Sequence, residues 1–201
     1  MKIICIGRNY AKHAKEMNAE VPSEPIFFLK PDTALLKENN FYYPEFTKDL
    51  HYELELVLKI NKHGKHISKE HAGNYYEQIS LGIDFTARDV QKECKAKGLP
   101  WEKAKAFDNS AFLSTNFQSK DDLGEEINFE LKKNGESVQM GSTNDLLFDF
   151  DSLIAHISQY ITLKQGDLIY TGTPEGVGPV EIGDQLDGFL NGEKQFSLKI
   201  K

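Results

Sequence analysis

Apolar and polar positions alternate most regularly between His51 and Ile60. Leu54, Leu56, Leu58 and Ile60 fall on one face of a strand, and Glu53 and Glu55 fall together on the other. The pattern predicts a half-buried strand with a wet face. Shorter apolar runs at 3–6, 26–29, 79–85 and 168–170 read as further strands. The second half adds two hairpins. Asn134-Gly135 and Asn191-Gly192 each separate alternating runs, as two-residue turns with positive φ require. Helical spacing predicts helices over 10–17 and 69–77. A third runs from Thr86, a candidate N-cap with Asp89 three residues on, to Lys97 before Gly98. The fourth, over 151–163, has a stripe of Leu153, Ile154, Ile157 and Ile161. Strands outnumber helices and the two do not alternate, so the class is α+β, not a βαβ succession.

Composition narrows the function. The chain has 201 residues, 39% hydrophobic and 27% charged, enough for one domain spanning 1–201 with a sizeable core. A net charge of −7 argues against nucleic acid as a partner. No basic run suits a membrane surface, and no apolar run approaches a membrane span or a secretory signal. Cys5 and Cys94 form no CxxC pair and read as free thiols of a reducing cytoplasm.

Candidate chemistry starts with Glu53 and Glu55. Alternate Cα atoms of a strand are about 7 Å apart. Two carboxylates at that distance repel by about 2 kcal/mol at an effective dielectric near 20. A hard divalent cation would turn that cost into a gain. Asp84, at the end of a strand just before a helix, is the natural third ligand. Local sequence leaves the alternatives open: a solvated strand face for the glutamates, and a turn or cap for the aspartate. His13 and Glu16 stand three apart on one helix face, where a carboxylate can orient an imidazole as a base for water; a solvated face is the other reading. The run Thr171-Gly172-Thr173-Pro174-Glu175-Gly176-Val177-Gly178-Pro179 is glycine-rich but ends as neither a P-loop nor a dinucleotide fingerprint. It is a ligand-approaching loop or a plain turn. Lys105 is a candidate for stabilising developing negative charge. The histidines show no zinc-type spacing, and there is no GxSxG elbow.

Taken in order, these pieces resemble the fumarylacetoacetate hydrolase family, in its short acylpyruvase and oxaloacetate decarboxylase branch, over nearly the whole chain. The carriers are Gly7-Arg8-Asn9-Tyr10 with His13 and Glu16, Glu24-Pro25 leading to Phe28-Leu29-Lys30-Pro31, Glu53-x-Glu55, and Asp84-x-Thr86-Ala87-Arg88-Asp89-Val90-Gln91. Lys97-Gly98-Leu99-Pro100-Trp101, Lys105-x-x-Asp108 and the Thr171–Gly178 loop complete the series. The resemblance implies a mixed β-sheet rolled into a barrel-like core, and a homodimer. It implies Mg²⁺ or Mn²⁺ held by Glu53, Glu55 and Asp84, with Lys105 as the active-site lysine. It also implies a His13–Glu16 dyad on a lid segment, and substrate contacts from Arg8, Gln91 and Thr173. The activity implied is metal-dependent cleavage of the carbon–carbon bond of acylpyruvates, with decarboxylation or tautomerisation of oxaloacetate as a related outcome. Isomerisation or decarboxylation of a hydroxy-heptadienedioate is the alternative within the family. A non-catalytic protein binding a metal or a 2-oxo acid is the alternative outside it. One departure concerns the pocket wall: after Asp108 the chain reads Asn109-Ser110-Ala111-Phe112-Leu113-Ser114, where the family usually has a proline.

Overall fold

A computed structural model describes residues 1–16 and 20–201 and, within them, all side chains but those of 14 and 15. The part of the predicted 10–17 helix and of the lid segment that falls on 17–19 lies outside the described residues.

The largest sheet is mixed. Ile3–Gly7 pairs antiparallel with the edge strand Ile26–Lys30 and parallel with Leu168–Tyr170. Leu168–Tyr170 then pairs with Leu54–Ile60, which pairs with Tyr76–Asp84. Ala111–Leu113 and Leu35–Leu36 complete the order. A second sheet contains both expected hairpins, Asn128–Lys133 with Glu136–Ser142 and Gln185–Leu190 with Glu193–Ile200. Asn134 (φ 54°), Gly135 (φ 89°), Asn191 (φ 46°) and Gly192 (φ 83°) carry the positive φ that these turns demand. A small three-stranded sheet joins Gly178–Pro179, Leu50–Tyr52 and Thr86–Ala87. The main core lies between the curled sheets: Leu54, Leu56 and Leu58 pack with Leu131, Leu186 and Leu198. The α+β class and rolled sheet match the expectation.

Several local expectations give way. The Leu54–Ile60 strand is buried on both faces, not one. Val57, on the face of Glu55, packs in a second apolar layer with Ile3, Cys5, Leu168 and Tyr170. The wet face predicted for the glutamates therefore does not exist. The helix expected over 69–77 is the single turn Lys69–Ala72, since Gly73-Asn74 breaks it and Tyr76 starts a strand. Thr86 is not a helix cap. It lies in a short strand, and Ala87 precedes the Arg88–Lys97 helix without a side-chain cap. Asp89 instead accepts hydrogen bonds from Thr47 Oγ1 (2.5 Å) and the Lys48 amide (3.0 Å). The far end of that helix is as expected, with Gly98 left-handed at φ 63°. The helix expected over 151–163 is Phe150–Tyr160, capped by Asp149, and Leu153, Ile154 and Ile157 are fully buried.

Candidate active site

Strand ends converge to bring three carboxylates together. Glu53 occupies the break between Leu50–Tyr52 and Leu54–Ile60, and Asp84 is the last residue of the neighbouring strand. The Asp84 amide donates to the Glu53 carbonyl at 2.9 Å, which holds the two residues side by side. Glu53, Glu55 and Asp84 each offer an oxygen, all within 4.8 Å of one another. The residues are 6%, 1% and 1% exposed. The sequence-predicted ligand set is thus assembled, and it is buried.

Charges so far from water need partners. Lys105, on the Glu102–Lys105 helical turn, donates to Glu53 Oε2 and Asp84 Oδ2, both at 2.8 Å. Arg88 donates to Glu53 Oε1 at 2.6 Å, and the Thr86 hydroxyl donates to the same oxygen at 2.9 Å. The Gly172 amide donates to Glu55 Oε2 at 2.7 Å. Lys30 Nζ lies 2.6 Å from Asp84 Oδ1, yet its hydrogen bonds go to Ser110 O (2.9 Å) and Oγ (3.0 Å). Asp84 Oδ1 is left without an aligned donor. Ser110 Oγ donates in turn to the Lys105 carbonyl at 2.9 Å. The stretch that departs from the family pattern therefore couples the two buried lysines from behind.

These partners divide the carboxylates. Burial pushes the Glu53 carboxyl up, but Lys105, Arg88 and His13 outweigh it and hold the group well below the usual carboxylate range. Burial raises Glu55 too, and the Asp84 and Glu53 charges raise it further; the Gly172 amide offsets only part. Burial would lower Lys105, but Asp84 and Glu53 raise it, so it stays protonated. The donor set is all oxygen, one carboxylate oxygen has an ammonium beside it but no aligned hydrogen bond, and burial with neighbouring like charge disfavours the anion of Glu55. Those three features fit a hard divalent cation such as Mg²⁺ or Mn²⁺.

Of the remaining predicted residues, Arg8, His13, Gln91 and Thr173 line the same pocket, and Glu16 meets it only through His13. His13 Nδ1 and Glu16 Oε2 are 3.2 Å apart, and His13 is 7% exposed. The Gly176 amide donates to both Glu16 oxygens at 3.2 and 3.3 Å, and Lys12 Nζ lies 3.5 Å from Glu175. The Ala11–Glu16 helix is thereby fastened to the glycine-rich loop. Arg8 lines the pocket in the left-handed region at φ 61°, a strained position for a non-glycine residue. Buried Asn9 fixes that turn, through bonds with both backbone groups of Phe148 and with the Thr171 carbonyl. Gln91 faces the pocket and accepts from Arg88 at 2.8 Å. Thr173 also lines it, but its hydroxyl proton goes to the Leu54 carbonyl at 2.8 Å, and Gln139 Nε2 donates to its oxygen at 2.8 Å. The Thr173 hydroxyl therefore anchors the loop and has no proton to give a substrate.

Sequence reasoning assigned no individual role in the site to Lys30, Arg88 or Gly172, and it read Thr86 as a helix cap. One signal was present for Lys30, a lone lysine closing the apolar run Ile26-Phe27-Phe28-Leu29 before Pro31. Gly172 yields a prediction. Its φ is 102°, and a Cβ there would sit 2.7 Å from Asn9 Cβ. Gly172→Ala should cost about 1–3 kcal/mol of stability from backbone strain. It should also weaken divalent-cation affinity roughly 10- to 100-fold, as loss of a ligand's supporting hydrogen bond does. Thermal unfolding and cation titration measure the two effects; an alanine variant matching the parent in both contradicts the role given to this amide.

Comparison with known proteins agrees with this geometry. The family model described as fumarylacetoacetate (FAA) hydrolase C-terminal matches residues 2–200. The chain is 43% identical over 202 residues to "Oxaloacetate tautomerase FAHD1, mitochondrial" of Mus musculus, covering 99% of this chain and 91% of that protein. It is 42% identical over 194 residues to "Oxaloacetate tautomerase YcgM" of Escherichia coli, covering 95% and 89%. Among solved structures, fumarylpyruvate hydrolase from Pseudomonas aeruginosa in complex with Mn²⁺ and pyruvate superposes with a TM-score of 0.93 at 35% identity, covering 100% and 89%.

Proposed function

The chain belongs to the fumarylacetoacetate hydrolase family, and on that basis we propose that it is a divalent-cation-dependent enzyme cleaving the carbon–carbon bond of acylpyruvates. One observation carries this reading: His13, 3.2 Å from Glu16, lines the pocket that holds Glu53, Glu55 and Asp84. Glu53, Glu55 and Asp84 would hold Mg²⁺ or Mn²⁺, which when bound supplies a Lewis acid for the carboxylate and 2-oxygen of the substrate.

The chain's own residues do the rest. Glu16 accepts from the imidazole and orients it, so that His13 takes a proton from water as the oxygen attacks the distal acyl carbonyl. The bond between that carbon and C3 breaks. Its electron pair moves to the 2-oxygen, giving the pyruvate enolate, and the acyl group leaves as a carboxylic acid. C3 then takes up a proton to give pyruvate. Lys105, protonated at working pH, balances negative charge as it develops. Arg8 and Gln91 orient the substrate from the pocket wall.

Oxaloacetate tautomerisation or decarboxylation is the second reading, favoured by the names of the mouse and Escherichia coli relatives. It passes through the same enolate and needs no attacking water. The test is a panel of acetylpyruvate, fumarylpyruvate, oxaloacetate and a hydroxy-heptadienedioate, each with Mg²⁺ and with Mn²⁺. Within it, His13→Ala should lower acylpyruvate cleavage by about 10²–10⁴-fold, the range of a positioned base, and lower keto–enol exchange of oxaloacetate far less. Equal losses in both reactions, or none in either, would remove water activation from His13.

A further inference from the structure

The pocket is lined by more positive charge than its carboxylates use. Lys105 is held by Glu53 and Asp84, and Arg88 by Glu53 and Gln91. Two cations on the wall, Arg8 and Lys95, have no hydrogen bond or ion pair among the described residues. Arg8 already has a place in the substrate reading. Lys95 does not, and its position is informative.

Arg88, Gln91 and Lys95 follow one another at helical spacing along the Arg88–Lys97 helix, so they line one face. Arg88 touches Glu53, Gln91 is next, and Lys95 is farthest out. At 1.5 Å rise per residue, Lys95 lies about 6 Å beyond Gln91 and about 10 Å beyond Arg88 along the axis. Its Nζ sits 5.4 Å from the centre of the Trp101 ring, which also lines the pocket. The ring steadies the ammonium without consuming its charge. Lys95 is an exposed residue at the pocket's outer wall, and its partial desolvation, then Arg88 and Arg8, disfavour its charged form, a penalty that a bound anion would relieve.

We propose that Lys95, seated on Trp101, is a specificity-determining residue that binds the distal carboxylate of an extended 2-oxo dicarboxylic acid. This rests on the reading of the pocket as a 2-oxo-acid site. With the 2-oxo-carboxylate head at Glu53, Glu55 and Asp84, a second carboxylate two helical turns outward meets Lys95. A longer diacid reaches farther along that line than oxaloacetate does, and a monocarboxylic acylpyruvate has nothing to offer there. The favoured substrate class is therefore a diacid of the fumarylpyruvate type.

The test compares two probes of equal chain length, 2-oxopimelate and 2-oxoheptanoate, which differ in the terminal carboxylate and match the seven-carbon chain of fumarylpyruvate. Dissociation constants are measured by calorimetry on the Mg²⁺-loaded protein. The parent should prefer the diacid, by about tenfold for one charge-assisted contact near the surface. Lys95→Met should abolish most of that preference, Lys95→Glu should reverse it, and Lys95→Arg should keep it. Added salt should erode it in the parent. A diacid preference unchanged in both the Met and Glu variants overturns the subsite. A parent that shows the preference but cleaves no acylpyruvate overturns the reaction assigned above and leaves the subsite standing. A parent that binds neither probe overturns both.

Discussion

Glu55→Gln should abolish divalent-cation binding and lower turnover by about 10²–10³-fold. The loss corresponds to the several kcal/mol a Lewis acid supplies at a developing charge. The variant keeps the shape of the side chain and removes the anion, so the fold should survive. Indeed the cation-free variant should be the more stable form at alkaline pH. Glu55 is pushed above the usual carboxylate range by burial and by the Asp84 and Glu53 charges. A carboxyl whose folded-state value is raised contributes stability fully below its unfolded-state value, near 4.3. That contribution is lost as pH climbs through the raised folded-state value. Gln cannot ionise, so this slope disappears. The same linkage says the parent gains cation affinity as pH rises through that window, releasing about one proton per cation bound. Cation titrations in two buffers of different protonation enthalpy count the proton. Unchanged affinity in Glu55→Gln, or no proton released by the parent, would remove Glu55 from the ligand set.

Lys105→Met should be damaging for two separable reasons. It removes the ammonium that donates to both Glu53 and Asp84, and leaves buried carboxylates facing only Lys30 and Arg88. Breaking a buried pair from one side costs about 3–5 kcal/mol. For a chain of this size that is about 10 °C in Tm. Saturating Mg²⁺ should recover more of the loss in the variant than it adds to the parent, because the cation replaces the missing positive charge. Turnover should not recover with it. Loss of the group that balances the oxyanion leaves rates about 10²–10³-fold down even with cation bound. A variant as stable as the parent, or one whose activity returns with its stability, contradicts the role given to Lys105.

The site was legible where the determinants are local. Parity along a strand placed Glu53 and Glu55 together, whereas Asp84, which local sequence left open as a ligand, a turn or a cap, joined them only through the resemblance to the family. Three-residue spacing placed His13 beside Glu16. The Asn-Gly turns and Gly98 were read correctly because positive φ leaves few residue choices. What could not be read depends on pairings between distant segments. The glutamate face looks wet in sequence because its cover is Leu168–Tyr170, Ile3 and Cys5, brought there by strand pairing across more than a hundred residues. Lys30 reaches Asp84 only once Ile26–Lys30 is seated beside Ile3–Gly7. Thr86 read as a cap because its spacing to Asp89 is right, but a buried carboxylate competes for the same hydroxyl and wins it. The 69–77 error was avoidable: Gly73-Asn74 is a break signal, and the strand after it is long and well paired.

Turnover of an acylpyruvate by chelator-stripped protein, followed before and after adding Mg²⁺ or Mn²⁺, tests the whole account at once. The expected result is no cleavage above the uncatalysed rate after stripping, and full recovery with either ion in the parent but not in Glu55→Gln. Cleavage that persists in excess chelator, or that neither ion restores, would contradict it.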